Sequence, residues 1–149
     1  MPCTSLTSLL KSCDSNIGGL KSISVYDFDG TLTGGTQYTG TSITIEFAKE
    51  SGSLSQTETL DLASGAISTQ QTLTVTVPRR DATKLNAIKI MAQGQRDLMI
   101  KITDSNSYVA YMGLGKGANL TTAASTTGSK SSDGNNYTLT FVANEGDLI

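Results

Sequence analysis

Thr72-Leu73-Thr74-Val75-Thr76-Val77-Pro78-Arg79-Arg80-Asp81-Ala82-Thr83-Lys84-Leu85-Asn86-Ala87-Ile88 opens the central stretch of the chain, residues 71–104, which reads strand, turn, helix, strand. Leu73, Val75 and Val77 alternate with Thr72, Thr74 and Thr76, the period of a strand with one dry and one wet face. Pro78 ends the run, because it has no amide to give to a ladder. Asp81 stands where an N-cap belongs, and Ala82, Leu85, Ile88 and Ala92 follow at helical spacing, with Lys84, Asn86, Lys89 and Gln93 between them. Gly94 supplies the stop. Leu98, Ile100 and Ile102 then alternate again. No other segment carries such a helical pattern. The expected fold is therefore all-β, an antiparallel sandwich or barrel-like body with one flanking amphipathic helix at about residues 81–93.

Working outward, Ile23 and Val25 alternate with Ser22 and Ser24 in a strand over 22–26, and Ile43, Ile45 and Phe47 do the same within 41–48. Residues 56–62 read as a weaker strand and 64–70 as a loop, since Gly65, Ser64 and Ser68 interrupt the apolar positions. Asp104-Ser105-Asn106-Ser107 is a turn, which pairs 98–103 with 108–112 as a hairpin. Gly113, Gly115 and Gly117 mark a bulge or kink, because they lack the strand-to-helix context of a phosphate-binding loop. Residues 119–127 are a small-residue strand or loop, Asp133-Gly134 sits at a turn, and Tyr137, Leu139 and Phe141 alternate in a last strand. The chain reads as a single domain over 1–149, with an arm at 1–17, a body at 18–143 and a tail at 144–149. Leu6, Leu9 and Leu10 lie in that Ser/Thr-rich arm. Ordering it costs entropy that a neighbouring surface has to offset, so it is a candidate for packing on another subunit.

Composition sets limits on function. The 149 residues include 22 Thr and 18 Ser, an excess that favours strands and turns over disorder. A net charge of -2 argues against a dedicated nucleic-acid binder. Arg79, Arg80, Lys84, Lys89, Arg96 and Lys101 nevertheless crowd the central stretch, against Asp81, Asp97 and Asp104, as a solvated helix face or a basic contact surface. Cys3 and Cys13 are the only cysteines and there is no His, so a zinc site and a Cys-His nucleophile pair are both disfavoured. No stretch has the length of a membrane span or the layout of a signal peptide. The expected setting is the cytosol, or an assembly built there, with reduced thiols.

Asp27-Phe28-Asp29-Gly30-Thr31-Leu32-Thr33 is the one motif that suggests chemistry. It looks like the first motif of the haloacid-dehalogenase-type phosphatases, which implies a nucleophilic first Asp, a second Asp as general acid-base, and magnesium between them. That family also requires helices alternating with a parallel sheet, a later Lys and a closing acidic pair. Here Gly34, Gly35 and a Thr-rich run follow instead, and Asp147 has no second acid beside it. A tight turn at Asp29-Gly30 is the preferred reading, so no catalytic, cofactor-binding or metal-ligating residue is assigned and the chain is not expected to be an enzyme. A third reading is a monomeric binding module that presents loops 34–40 and 128–136 to a sugar or a protein.

The run Cys13-Asp14-Ser15-Asn16-Ile17-Gly18-Gly19-Leu20-Lys21, the central strand and helix, the Asp104 hairpin, residues 113–118, and Asp133-Gly134-Asn135-Asn136-Tyr137-Thr138-Leu139-Thr140-Phe141 together resemble small virion structural proteins of tailed bacteriophages. The likeness is to tail-tube and tail-ring subunits from phages of gut Bacteroidetes. It implies a β-sandwich with one flanking helix, assembled as a ring, commonly hexameric, that stacks into a conduit for genome ejection. The implied partners are further copies of the chain and other tail or connector proteins, with DNA passing through the lumen unbound and no membrane involved. The implied location is the virion tail, assembled in the host cytoplasm. A head-tail connector, collar or tail-terminator ring is the alternative within the same class.

Overall fold

Eight antiparallel strands and one α-helix make up the computed structural model, which describes residues 6–28, 42–113 and 115–145. β1 (Leu20–Asp27) lies between β2 (Ile43–Ile45) and β5 (Leu98–Asp104), so Ile23 faces Ile45 on one side and Ile102 on the other. β6 (Val109–Met112) returns along β5. The turn between them forms because Asp104 Oδ1 accepts from the amides of Asn106 and Tyr108, both at 2.9 Å.

The second half of the sheet runs β7 (Ala118–Thr126), β8 (Asn136–Glu145), β4 (Ile67–Pro78), β3 (Ser53–Leu60). One pairing, Leu98 with Ala118, joins it to β5. The strands are thus continuous, in the order β2-β1-β5-β7-β8-β4-β3 with β6 alongside β5. Ile23, Val25, Ile100 and Ile102 of one half share a core with Leu73, Val75, Leu139 and Phe141 of the other, which gives a sandwich-like body. Of the two forms expected from sequence the barrel is excluded, since the sheet does not close and β2 and β3 stand at its ends.

Gln71 fastens the halves where they part. It is fully buried in β4, its Nε2 donates to the Tyr111 carbonyl, and its Oε1 accepts from the Gly113 amide, each at 3.3 Å. A buried carboxamide with both ends bonded costs little, and it fixes the separation of the two layers.

The helix, α1, spans Ala82–Ala92 and is followed by one 3-10 turn, Gln93–Gln95, in which Gly94 takes φ 67°. Asp81 caps it as the sequence predicts, its Oδ1 accepting from the Lys84 amide at 2.8 Å. That bond is the main reason the Asp81 carboxyl sits below its ordinary pKa of 3.8. A depressed carboxylate contributes stability that is present above the ordinary value and is lost as pH falls through the folded one. Asp81→Ala is accordingly expected to lower the thermal midpoint by about 2–4 °C at pH 7, a difference that shrinks in melts below pH 3.8.

Several features differ from the expectation, among them the strand expected over 56–62, which is Ser53–Leu60. The buried face of α1 is Ile88 and Met91, while Ala82, Leu85 and Ala92 are exposed. The strand expected over 41–48 is limited, among described residues, to Ile43–Ile45; beyond it the chain crosses to the other half, where the Ala48 amide donates to the Thr76 carbonyl at 2.9 Å. The expected loop at 64–70 is largely strand, because β4 begins at Ile67, pairs with β3 from there, and buries Thr69 and Gln71. The turn of that hairpin is Asp61 to Ala66, closed by the Asp61 amide on the Ala66 carbonyl at 2.9 Å. In the tail, Asn144 and Glu145 belong to β8.

Candidate functional site

Asp27 ends β1 with its side chain 69% exposed, and Arg96 Nη2 lies 2.7 Å from its Oδ1. The exposed pair is worth little to stability, but it occupies the carboxylate that the phosphatase motif would use as its nucleophile. Asp29, the motif's second acid, lies outside the described residues, as do 30–41. The sheet is antiparallel throughout, whereas the phosphatase resemblance implies a parallel one. Among the described residues no three His, Cys, Asp or Glu side chains gather where they could hold a metal ion. Cys13 is a free, exposed thiol, and Cys3 lies outside the described residues.

The glycine run is a crossing point. Gly113 and Gly117 have φ 79° and 85°, and the Gly117 amide donates to the Gly113 carbonyl at 3.0 Å as the chain passes from β6 into β7. The kink expected from sequence is present. The tip at 128–136 is tied by Asp133, whose Oδ2 accepts from the amides of Ser129 (2.9 Å) and Lys130 (2.8 Å). Those bonds, that of Lys130 foremost, hold its carboxyl below the usual carboxylate value. The companion loop at 34–40 lies outside the described residues.

Several basic side chains of the central stretch serve the fold. Lys84 Nζ donates to the carbonyls of Pro78 (2.6 Å) and Arg79 (2.8 Å), Arg96 pairs with Asp27, and the Arg80 guanidinium stacks 5.9 Å from the Tyr137 ring centroid. These contacts leave Arg80 and Arg96 exposed on the surface.

What the body does present is open sheet edge and apolar tips. Among the described strands β3 pairs with β4 alone and β2 with β1 alone. At the far end of β3 the hairpin exposes Leu60, Leu62 and Ile67. The arm is anchored at its root, where the Ile17 amide donates to Asn106 Oδ1 (2.9 Å), Asn106 Nδ2 donates to Asn16 Oδ1 (3.0 Å) and the Ser105 amide donates to the Gly19 carbonyl (3.1 Å). Beyond that root Leu6, Leu9 and Leu10 are 101%, 100% and 88% exposed, in chain with no regular structure. The sequence pointed to this arm; it did not reveal the β3 edge, because the strand's start at Ser53 lies within Ser- and Gly-rich chain.

Comparison with protein-family models, with curated proteins and with solved structures found no match. No described helix is long and apolar enough to cross a membrane.

Proposed function

We propose that the chain is a structural subunit of a bacteriophage tail tube, self-assembling into hexameric rings that stack to form the conduit for genome delivery. One observation carries this reading: β3 is an eight-residue edge strand, paired on one side among the described strands, and Glu58 is the one element of the usual edge protection in it. Ser53-Leu54-Ser55-Gln56-Thr57-Glu58-Thr59-Leu60 holds no Lys, no Pro and a single charge. A strand of that kind templates pairing with another chain. Among the described strands the opposite end of the sheet is the unlike edge β2, and contact between unlike patches is head-to-tail, which closes into rings or continues into fibres.

The outward face of β7-β8-β4-β3 suits a lumen wall. Its cross-strand rows are Ser53, Thr74, Thr140, Thr122 and then Ser55, Thr72, Val142, Asn119, with Thr76, Thr138 and Ala124 in a third. They contain no charge. Phosphates are held by Lys and Arg, so DNA slides past such a surface. In this reading the partners are further copies and other tail or connector proteins, and the product resides in the virion tail after assembly in the host cytoplasm. A head-tail connector, collar or tail-terminator ring would use the same edges and differ in giving single rings where a tube subunit gives stacks.

Thr57→Lys combined with Thr59→Lys tests the edge. Negative-stain microscopy and light scattering are expected to show rings or tubes for the unaltered chain and monomers for the double variant. Both threonines are exposed, so the melting point of the monomer should move by no more than about 2 °C. Assembly undiminished by the two lysines, or an unaltered chain that is monomeric at every concentration, would remove the reading.

A further inference from the structure

Between the edge strand β2 and helix α1 lies an apolar groove of about 240 Å³, lined by Ile43, Ile45, Val77, Ala87, Ile88 and Met91. A cavity of roughly 150 Å³ holds a benzene ring, so this one has room for two branched aliphatic side chains. Leu6, Leu9 and Leu10 are spaced i, i+3, i+4, the pattern that places three side chains on one face of a helical turn for insertion into a groove. In the monomer all three stand in water. Lys11 follows them directly, and the groove rim carries the exposed carboxylate of Glu46 together with Lys84, whose ammonium is already engaged by the Pro78 and Arg79 carbonyls. The groove has room for two of the three leucines, with the third against its rim, and Glu46 at that rim is opposite in charge to Lys11.

We infer that the arm of one copy, through Leu6, Leu9 and Leu10, docks in the β2–α1 groove of a second copy; this rests on the ring reading above. The arm leaves the body at the Asp104 end of β5, anchored through Asn106, and its three leucines have no cover from their own body. A contact from arm to groove is again between unlike patches, so it repeats around a ring as the edge pairing does. Each link is weak because the arm has to be ordered, and closure of the ring makes the last links effectively intramolecular.

A fluorescent peptide of residues 6–17, titrated into the full-length chain carrying Leu6→Ser, Leu9→Ser and Leu10→Ser, tests the contact by anisotropy. Saturable binding is expected, weakened about tenfold or more when Ala87→Arg is added. Ala87 is exposed on α1, so the added variant should keep its melting point, which the same sample reports. Binding without rings under the microscope would uphold the arm contact and sink the tail-tube reading. Rings without peptide binding would do the opposite, and binding indifferent to Ala87→Arg would sink the assignment of the arm to this groove. If the unaltered chain is monomeric and refuses the peptide while the triple variant takes it, the arm fills its own groove and the assignment to a second copy falls.

Discussion

Phe141→Ala is expected to lower the thermal midpoint by about 6–20 °C, followed by circular dichroism or calorimetry. Phe141 is fully buried in β8, and the strand register sets it between Leu73 of β4 and Leu120 of β7. Its ring is among the largest groups in the shared core of the two halves. The chain has three Phe and no Trp, so few other side chains can take over its volume. Truncation removes the burial of the ring and leaves a cavity that a β-sandwich closes poorly, at a cost of about 3–5 kcal/mol. Set against a typical total of about 5–15 kcal/mol, that is a large share. Phe141→Leu keeps most of the volume and should lose much less. A fall of under about 5 °C for the alanine variant would mean that the halves do not pack through this residue.

The sequence made the core strands legible because their inward positions are apolar. Ile23 and Val25, Leu73 and Val75, and Leu139 and Phe141 alternate with hydroxyl residues, Ile100 and Ile102 flank Lys101, and all are buried. The N-cap of α1 was legible for a similar reason, since Asp81 is one of the few residue types that cap and it precedes a helical run. The first half of β4 was not. Its inward positions are Thr69 and Gln71, polar residues that hide the period, and Gln71 is tolerated inside only because Tyr111 and Gly113 bond its carboxamide. Those two partners are some forty positions away along the chain, beyond the reach of any local pattern. The face of α1 was misjudged because Leu85 and Ile90 are apolar yet exposed, so apolar spacing alone does not select Ile88 and Met91.

The candidate assembly surfaces were half legible. Three leucines in a Ser/Thr-rich arm announce an unsupported apolar segment from composition alone. The β3 edge depends on strand order, and order is set by which strand covers which. β3 pairs with β4 but reaches no strand on its other side among those described, a fact of topology that residues 53–60 do not encode. The acidic motif at Asp27 shows the converse. Its spacing suggested chemistry, and the contact that ties it up comes from Arg96, which follows the helix much later in the chain.

Gly113→Ala should be strongly disruptive for a single added methyl, because it strikes the strand pairing that joins the two halves. Gly113 has φ 79°, where an L side chain is strained by about 1–2 kcal/mol. An added Cβ would also lie 2.5 Å from the Ala118 amide nitrogen and 2.7 Å from the Leu98 carbonyl oxygen. Those are the two residues whose pairing is the sole register between β5 and β7. Both neighbours are backbone, so no side chain can swing away to make room. The chain has to open the Leu98–Ala118 pairing or displace the Gly113 amide from Gln71 Oε1, and either move loosens the link between layers. Crowding of this kind costs about 1–3 kcal/mol, which with the strain makes about 2–5 kcal/mol in all. Hydrogen exchange separates this from a uniform loss: the amides of Gly113 and Ala118 should lose protection before those of the β4–β8 ladder do. Gly65→Ala is the control, since φ there is 72° but nothing lies within 4 Å of the added carbon. It carries the strain without the collision, and a Gly113→Ala loss no larger than that of Gly65→Ala would show that the seam has slack.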